Sequence, residues 1–123
     1  MSNVGVMTSK MQTGGDGESA AADYLIAKGY EVLERNYRHG RAEIDLIVKK
    51  KNWLVFVEVK TRSYSRFGFP EEFVDRAKEE LILMAAENYI YETNWEGNVR
   101  YDIVSVLGVG FEREVVHFED AFY

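Results

Sequence analysis

Residues 43–60 read EIDLIVKKKNWLVFVEVK, two runs of strand-forming residues separated by the pair Lys51-Asn52. Val, Ile and aromatic residues are frequent in both runs, and these residue types are enriched in β-strands. A spacer of two residues is the commonest connection between antiparallel neighbours. We therefore predict a β-hairpin made of strands 43–50 and 53–61.

Four charged residues lie inside these apolar runs rather than at their ends. Because side chains alternate between the two faces of a strand, each run divides into two sets. The first strand carries on one face Glu43, Asp45 and Ile47, and on the other Ile44, Leu46 and Val48. The second strand carries on one face Phe56, Glu58 and Lys60, and on the other Val55, Val57 and Val59. A hairpin of these strands brings Asp45 and Glu58 together.

Two half-buried carboxylates side by side indicate a cation site. Their proximity costs several kcal/mol unless a cation or a shared proton compensates. Oxygen ligands favour a hard ion, and Mg²⁺ characteristically takes one or two carboxylates together with waters and phosphate oxygens. We predict a Mg²⁺ or Mn²⁺ site at Asp45 and Glu58, with Lys60 placed to stabilise charge on a phosphate. The alternative is an ion-pair network without catalysis.

The rest of the chain predicts an α/β domain. Residues 1–14 lack hydrophobic periodicity and are typical of a flexible tail, so residues 15–123 form the single expected domain. A helix is expected from about Asp16 to Gly29, and a second after Pro70, over residues 71–92. Strands are expected at 30–37, 99–107 and 114–118. The resulting order is αβββαβ with a further short strand.

The second helix also has a predicted core-facing stripe. Apolar and small residues recur at steps of three and four along it, namely Phe73, Ala77, Leu81, Met84, Ala85, Asn88 and Tyr89. The opposite face is acidic.

Charge is distributed unevenly along the chain. The formal net charge is −6. Residues 28–66 carry ten basic and five acidic side chains, whereas residues 67–123 carry four basic and thirteen acidic ones. A basic segment within an acidic protein is compatible with one face that meets phosphate, although Lys49, Lys50 and Lys51 also suit a solvated hairpin tip. Since few basic contacts are available per monomer, a homodimer that joins two basic faces is favoured.

The composition excludes several kinds of functional site and argues against a membrane or secreted protein. The 123 residues contain no cysteine, which excludes disulfides, thiolate nucleophiles and sulfur-based zinc sites. The longest apolar run, residues 81–86, is far shorter than the ~20 residues that a membrane helix needs. The first 15 residues lack the features of a secretory signal. We expect a cytoplasmic protein that has no membrane partner.

Two other acids and both histidines are expected to lie outside the metal site. Glu43 is expected to be solvated or in a salt bridge, and Asp102 to hold a neighbouring arginine or backbone group. His39 and His117 have no partner at metal-ligand spacing.

An Asp on one strand and Glu-x-Lys on the next, after a helix carrying Glu18, resembles the PD-(D/E)xK nuclease superfamily. The sequence further resembles the YraN-type family of uncharacterised, endonuclease-like bacterial proteins over roughly residues 14–106. The matching segments are Gly14-Gly15-Asp16-Gly17-Glu18, Ala21, Tyr24-Leu25, Gly29-Tyr30, Arg35-Asn36, Glu43-Ile44-Asp45-Leu46-Ile47, Val55-Phe56-Val57-Glu58-Val59-Lys60, Arg62, Lys78 and Arg100-Tyr101-Asp102.

The resemblance implies a restriction-endonuclease-like fold, similar to archaeal Holliday-junction resolvases, with a mixed sheet flanked by helices. It implies that Asp45 and Glu58 are metal ligands, that Lys60 is catalytic, and that Glu18 is a further ligand or orients a water. The residues expected to contact nucleic acid are Arg62, Arg66, Lys78, Lys49, Lys50 and Lys51.

Three functions follow as hypotheses. The first is a Mg²⁺- or Mn²⁺-dependent nuclease acting on DNA, with branched or structured DNA among the candidate substrates. The second is a non-catalytic nucleic-acid-binding or DNA-repair accessory module of the same fold. The third is an interaction protein in which the acidic face of the helix over residues 71–92 meets a partner.

Overall fold

The computed structural model describes residues 13–62, 76–108 and 113–122, with side chains from Gly17 onward. Seven elements are formed, in the order α1 (Thr13–Ala27), β1 (Glu31–His39), β2 (Ala42–Lys50), β3 (Trp53–Arg62), α2 (Arg76–Thr93), β4 (Asn98–Leu107) and β5 (Glu114–Phe118). The predicted α/β class and the order αβββαββ are confirmed.

The strands form one five-stranded mixed sheet in the order β1-β2-β3-β4-β5. Only β3 and β4 are parallel among the paired strands described, and the crossover between them contains α2. The other neighbours are antiparallel, and the β2–β3 hairpin turns at Lys51-Asn52 as predicted. Because β2 runs against β3, the first half of β2 lies beside the last half of β3.

Each face of the sheet has its own hydrophobic core. One face packs against α2, with Phe56, Ile103, Ile82 and Tyr89 among the buried residues. The other packs against α1, where Ala21, Ala22 and Leu25 are fully buried against Val55, Val57 and Val104. The molecule is therefore a three-layer sandwich, and the predicted division of β3 into a Phe56 face and a valine face is confirmed.

The first helix begins earlier than predicted. It starts at Thr13 rather than near Asp16, so residues 13 and 14 of the expected tail are helical, while residues 1–12 lie outside the described residues. Gly14 and Gly15 have low helix propensity, but packing of the helix on the sheet outweighs a cost of about 1 kcal/mol per glycine. At the other end Gly29, with φ of 100°, ends the helix as predicted, and Tyr30 N–H donates to Leu25 O.

The core-facing side of the second helix agrees only in part with the prediction, since Ala85 and Tyr89 are buried and Leu81 packs against the core as expected. Its buried residues are Ile82, Ala85, Ala86 and Tyr89, whereas Met84 is 58% exposed and Ala77 is also exposed. The run Leu81-Ile82-Leu83-Met84 is apolar on every side of the helix, so it does not indicate which side is buried. Consequently Lys78, one turn before Ile82, lies on the side that faces the sheet.

The predicted start of this helix cannot be compared directly, since Pro70 and residues 71–75 lie outside the described residues. Within the ranges that are described, neither helix combines the length and apolar character that crossing a bilayer demands.

Candidate functional site

Strands β2 and β3 separate at Asp45. Their pairing runs from the turn up to Leu46 and Val57 and then stops. Beyond that point the Asp45 side chain lies between the strands, where its Oδ2 accepts a hydrogen bond of 2.8 Å from the backbone N–H of Val59. The carboxylate therefore replaces a ladder bond, which fixes it beside Glu58, the residue preceding Val59.

The alternation predicted for β2 breaks at this same residue. Ile44 and Ile47 both pack in the core under α2, although strict alternation would place them on opposite faces. The irregularity lies opposite Asn36 of β1, whose φ of 51° is left-handed. The prediction that Ile44 and Ile47 lie on opposite faces of the sheet was therefore wrong, because the backbone is distorted where Asp45 leaves the ladder of hydrogen bonds.

Glu58 is held by two lysines. It is buried, and its Oε2 lies 2.5 Å from Lys78 Nζ and 3.4 Å from Lys60 Nζ. Lys60 follows two residues later on β3 and is also buried, whereas Lys78 reaches in from α2. The predicted convergence of Asp45, Glu58 and Lys60 is thus accompanied by Lys78, which was named from the sequence among the expected contacts for nucleic acid.

Glu18 reaches the same end of the sheet from α1. A methyl group at Gly17 would collide with the Thr61 side chain, so the absence of a side chain lets α1 approach the end of β3. With its amide oriented to donate, Asn36 Nδ2 lies 3.2 Å from Glu18 Oε1 and 2.9 Å from Glu43 Oε2. Glu43 also lies 3.4 Å from Arg38, which agrees with the salt bridge expected for it.

The motifs and strand patterns of the sequence assign no role to Asn36. The available signal was an Asn in the middle of an otherwise regular strand, because Asn is among the few residues that adopt positive φ readily. In the structure it ties β1 to the carboxylates of Glu18, in the first half of α1, and Glu43, at the start of β2.

The electrostatics of the site disfavour the ionised forms of Asp45 and Glu18. Burial and the charge of Glu58 raise the pKa of Asp45 to about 7, despite the hydrogen bond from Val59. Burial and the charge of Glu43 also raise the pKa of Glu18. Burial lowers the pKa of Lys60. Burial also opposes the charge of Lys78, but the hydrogen bond to Glu58 and the charges of Glu58 and Asp45 together outweigh it and raise the pKa of Lys78. The two lysines thus leave Asp45 without full compensation.

The stability of the metal-free protein should therefore depend on the ionisation of Asp45. Its pKa is about 7 in the folded chain and 3.8 as the reference value, so the folded state binds more protons between these values. The contribution of Asp45 to the free energy of unfolding should fall as the pH rises from about 4 to about 7, and then level off. Denaturant unfolding at several pH values measures this, and Asp45→Asn should remove that component of the slope. An equal slope in both proteins would contradict it.

The carboxylates of the site suit Mg²⁺, which needs few protein ligands, better than a metal ion that the protein must enclose with many ligands. Among the residues described, no three His, Cys, Asp or Glu side chains are grouped so that they could hold a metal ion. Two carboxylates at the separation of β2 and β3 are nevertheless sufficient for Mg²⁺, which keeps several waters and takes few protein ligands. The uncompensated charge of Asp45 is the feature of this structure that a divalent cation would satisfy.

The residues predicted to contact nucleic acid fall into separate places. Arg62 lies at the end of β3 near the site, where it donates to its neighbouring carbonyl, Thr61 O. Arg66 lies outside the described residues. The hairpin turn lies at the opposite end, because seven residues from Lys51 to Glu58 span about 20 Å. There Lys50 donates to Lys28 O at the end of α1, which gives this lysine a structural role.

Asp102 belongs to a different cluster. This fully buried carboxylate accepts two hydrogen bonds of 2.9 Å from Arg100 and one from the backbone N–H of Asp120. His117 Nε2 lies 2.7 Å from Oδ2 of Asp102. The expectation that Asp102 holds an arginine and backbone is confirmed, and the sequence missed only His117. The cluster lies under the last turn of α1, where Lys28 contacts His117.

The chain matches a family of bacterial proteins along most of its length. A family model described as "Uncharacterised protein family UPF0102" matches residues 17–106. A "UPF0102 protein" of Cytophaga hutchinsonii is 44% identical over 110 residues, covering 89% of this chain and 95% of the relative. A second, from Bacteroides thetaiotaomicron, is 40% identical over 117 residues, covering 95% and 97%. The matched range contains the residues of the site, namely Glu18, Asn36, Asp45, Glu58, Lys60 and Lys78.

Proposed function

The chain belongs to the UPF0102 family, the YraN-type family that its motifs resemble, and we propose that it is a metal-dependent nuclease that hydrolyses DNA phosphodiester bonds. The observation that carries this proposal is the pair of carboxylates, Asp45 and Glu58, at the separation of two strands with Lys60 beside them. The Asp and Glu-x-Lys pattern is similar to that of PD-(D/E)xK nucleases, which supports the same class of reaction.

Asp45 and Glu58 would hold the divalent ion, Mg²⁺ or Mn²⁺. When bound, such an ion supplies charge stabilisation at the scissile phosphate and lowers the pKa of a water. The hydrogen bond from Val59 fixes one oxygen of Asp45 and leaves the other for the ion. Burial of Glu58 excludes competing water from its carboxylate, so the attraction between carboxylate and ion is less screened than at the surface.

Lys60 would stabilise the phosphate as its negative charge develops. Its ammonium is buried beside Glu58, so it is held in place before the substrate binds. A preorganised donor aimed at developing charge stabilises the transition state more than the ground state. Glu18, oriented by Asn36, would accept a hydrogen bond from the attacking water.

One observation favours the alternative of a non-catalytic nucleic-acid-binding or repair accessory module. Lys78 and Lys60 already neutralise Glu58, so this fold can accommodate the buried glutamate without a metal. Such a module would bind DNA in a salt-dependent manner and would cleave none of the DNA forms tested.

Calorimetric titration of Mg²⁺ and Mn²⁺ separates the two functions. The wild type should bind the ions, and an Asp45→Ala/Glu58→Ala variant should not. A Glu80→Ala/Glu87→Ala variant removes the same charge from exposed positions of α2 and should bind like the wild type. Absence of binding in the wild type, with and without DNA, would favour the accessory module.

Cleavage assays with linear, branched and single-stranded DNA then test whether cleavage depends on metal binding at this site. Loss of both metal binding and cleavage in the Asp45→Ala/Glu58→Ala variant is the expected result. Cleavage by that variant at the wild-type rate would exclude these residues as the active site.

A further inference from the structure

We propose that Lys78 is a positioning residue that holds Glu58 in the metal-free protein and must release it when a divalent ion binds, so that Lys78 sets the metal affinity of the site. This inference rests on the proposed function, because it requires the ion to bind at Glu58.

The geometry makes the two cations competitors. Lys78 Nζ lies 2.5 Å from Glu58 Oε2, which is a short, charge-assisted contact. A Mg²⁺ ion on the same carboxylate would lie about 2.1 Å from a ligand oxygen. An ammonium and a dication within about 4 Å of each other repel strongly in a partly buried site. Lys78 and the ion therefore cannot both keep their best contact with this carboxylate.

Lys78, rather than Lys60, is the lysine able to leave. The side chain of Lys60 is 9% exposed, whereas that of Lys78 is 42% exposed. Lys60 belongs to the middle layer of the sandwich, on β3, whereas Lys78 lies in the first described turn of α2. The side chain of Lys78 is long and flexible, so its ammonium can turn toward solvent while the helix stays in place.

The phase of α2 gives a reason for this placement. Ile82, Ala85 and Tyr89 are buried on the sheet, which places Lys78, one turn before Ile82, over Glu58 of β3. If α2 were rotated about its axis so that the residues one position earlier or later faced the core, Lys78 would point away from Glu58. The core of this face thus fixes the Lys78–Glu58 contact.

Metal titration without DNA tests the inference independently of any activity. Lys78→Gln and Lys78→Met remove the charge, Lys78→Arg retains it, and Arg76→Gln removes one positive charge from an exposed position on the same helix. We expect Lys78→Gln and Lys78→Met to bind Mg²⁺ and Mn²⁺ about tenfold more tightly than the wild type, which corresponds to about 1.4 kcal/mol. Lys78→Arg and Arg76→Gln should stay within about threefold of the wild type, a smaller change than one lost charge-assisted contact.

Each outcome has a defined meaning. Wild-type affinity in both uncharged variants would overturn the inference and leave the proposed function standing. An equal gain in Arg76→Gln would also overturn it, since the effect would then be one of general charge. Absence of metal binding in the wild type and in both uncharged variants would overturn the inference together with the proposed function. Thermal unfolding of each variant confirms that the compared proteins are folded.

Discussion

Asp45→Asn is expected to abolish metal-dependent DNA cleavage and at the same time to stabilise the metal-free fold. The substitution keeps the shape of the side chain and a carbonyl oxygen that can accept the hydrogen bond from Val59. It removes the negative charge that burial and Glu58 make unfavourable, as the raised pKa of Asp45, about 7, indicates. A single substitution should therefore act in opposite directions on activity and on stability.

The expected sizes allow both effects to be measured. Loss of one of two anionic ligands should lower kcat/KM at least about a hundredfold, which corresponds to ~2.7 kcal/mol of transition-state stabilisation. Relief of charge repulsion should raise the Tm of the metal-free protein at pH 8 by several degrees, since about 1 kcal/mol corresponds to roughly 4 °C or more in a domain of this size. At pH 4, where Asp45 is largely protonated in the folded wild type, the difference in Tm should nearly disappear.

Scanning calorimetry at both pH values and single-turnover cleavage assays measure the two effects. Glu80→Gln is the matched control, because it neutralises an exposed carboxylate on α2 and should change neither quantity appreciably. Destabilisation by Asp45→Asn at pH 8, with cleavage retained, would mean that Asp45 belongs to a structural ion-pair network instead.

The fold could be predicted from the sequence because its local signals agree with one another. The hairpin at Lys51-Asn52 and the glycine stop at Gly29 depend on residues within a few positions of each other. The strand β5 at Glu114–Phe118 is likewise bounded by local signals, and it was predicted with its observed limits. Periodicity assigned the two faces of β3 for the same reason.

The geometry of the site depended on information that local patterns do not contain. The phase of α2 is set by packing across the sheet, because Leu81 to Met84 would satisfy a core on either side. Hence Lys78 could be named from the sequence but its contact with Glu58 could not. The break in β2 at Asp45 similarly arises between strands, opposite the left-handed Asn36, and strict alternation missed it.

The two lysines on Glu58 should also differ when each is replaced. Lys60→Met is expected to lower the rate of cleavage at saturating metal by at least about a hundredfold, the range found when one preorganised donor is removed from a transition state. Metal binding should be retained, because Asp45 and Glu58 remain. Binding of DNA without divalent ions should change little, because one buried lysine would supply at most one of the phosphate contacts on which such binding depends.

Single-turnover cleavage, calorimetry and fluorescence anisotropy separate these three quantities. Lys60→Arg keeps the charge but adds a planar group that the buried position has little room for, so it should restore only part of the rate. Cleavage by Lys60→Met within about threefold of the wild type would exclude a role at the phosphate, where a lost donor costs far more.

A loss of metal binding in Lys60→Met would have a different meaning. Both ammonium groups contact the same oxygen of Glu58, so either lysine could in principle serve only to orient that carboxylate. If Lys60 did so, its removal would weaken metal binding and leave the chemical step unchanged at saturating metal. A lower cleavage rate with unchanged metal affinity in Lys60→Met would instead assign Lys60 to the chemical step. A higher metal affinity in Lys78→Gln would assign Lys78 to the control of metal binding.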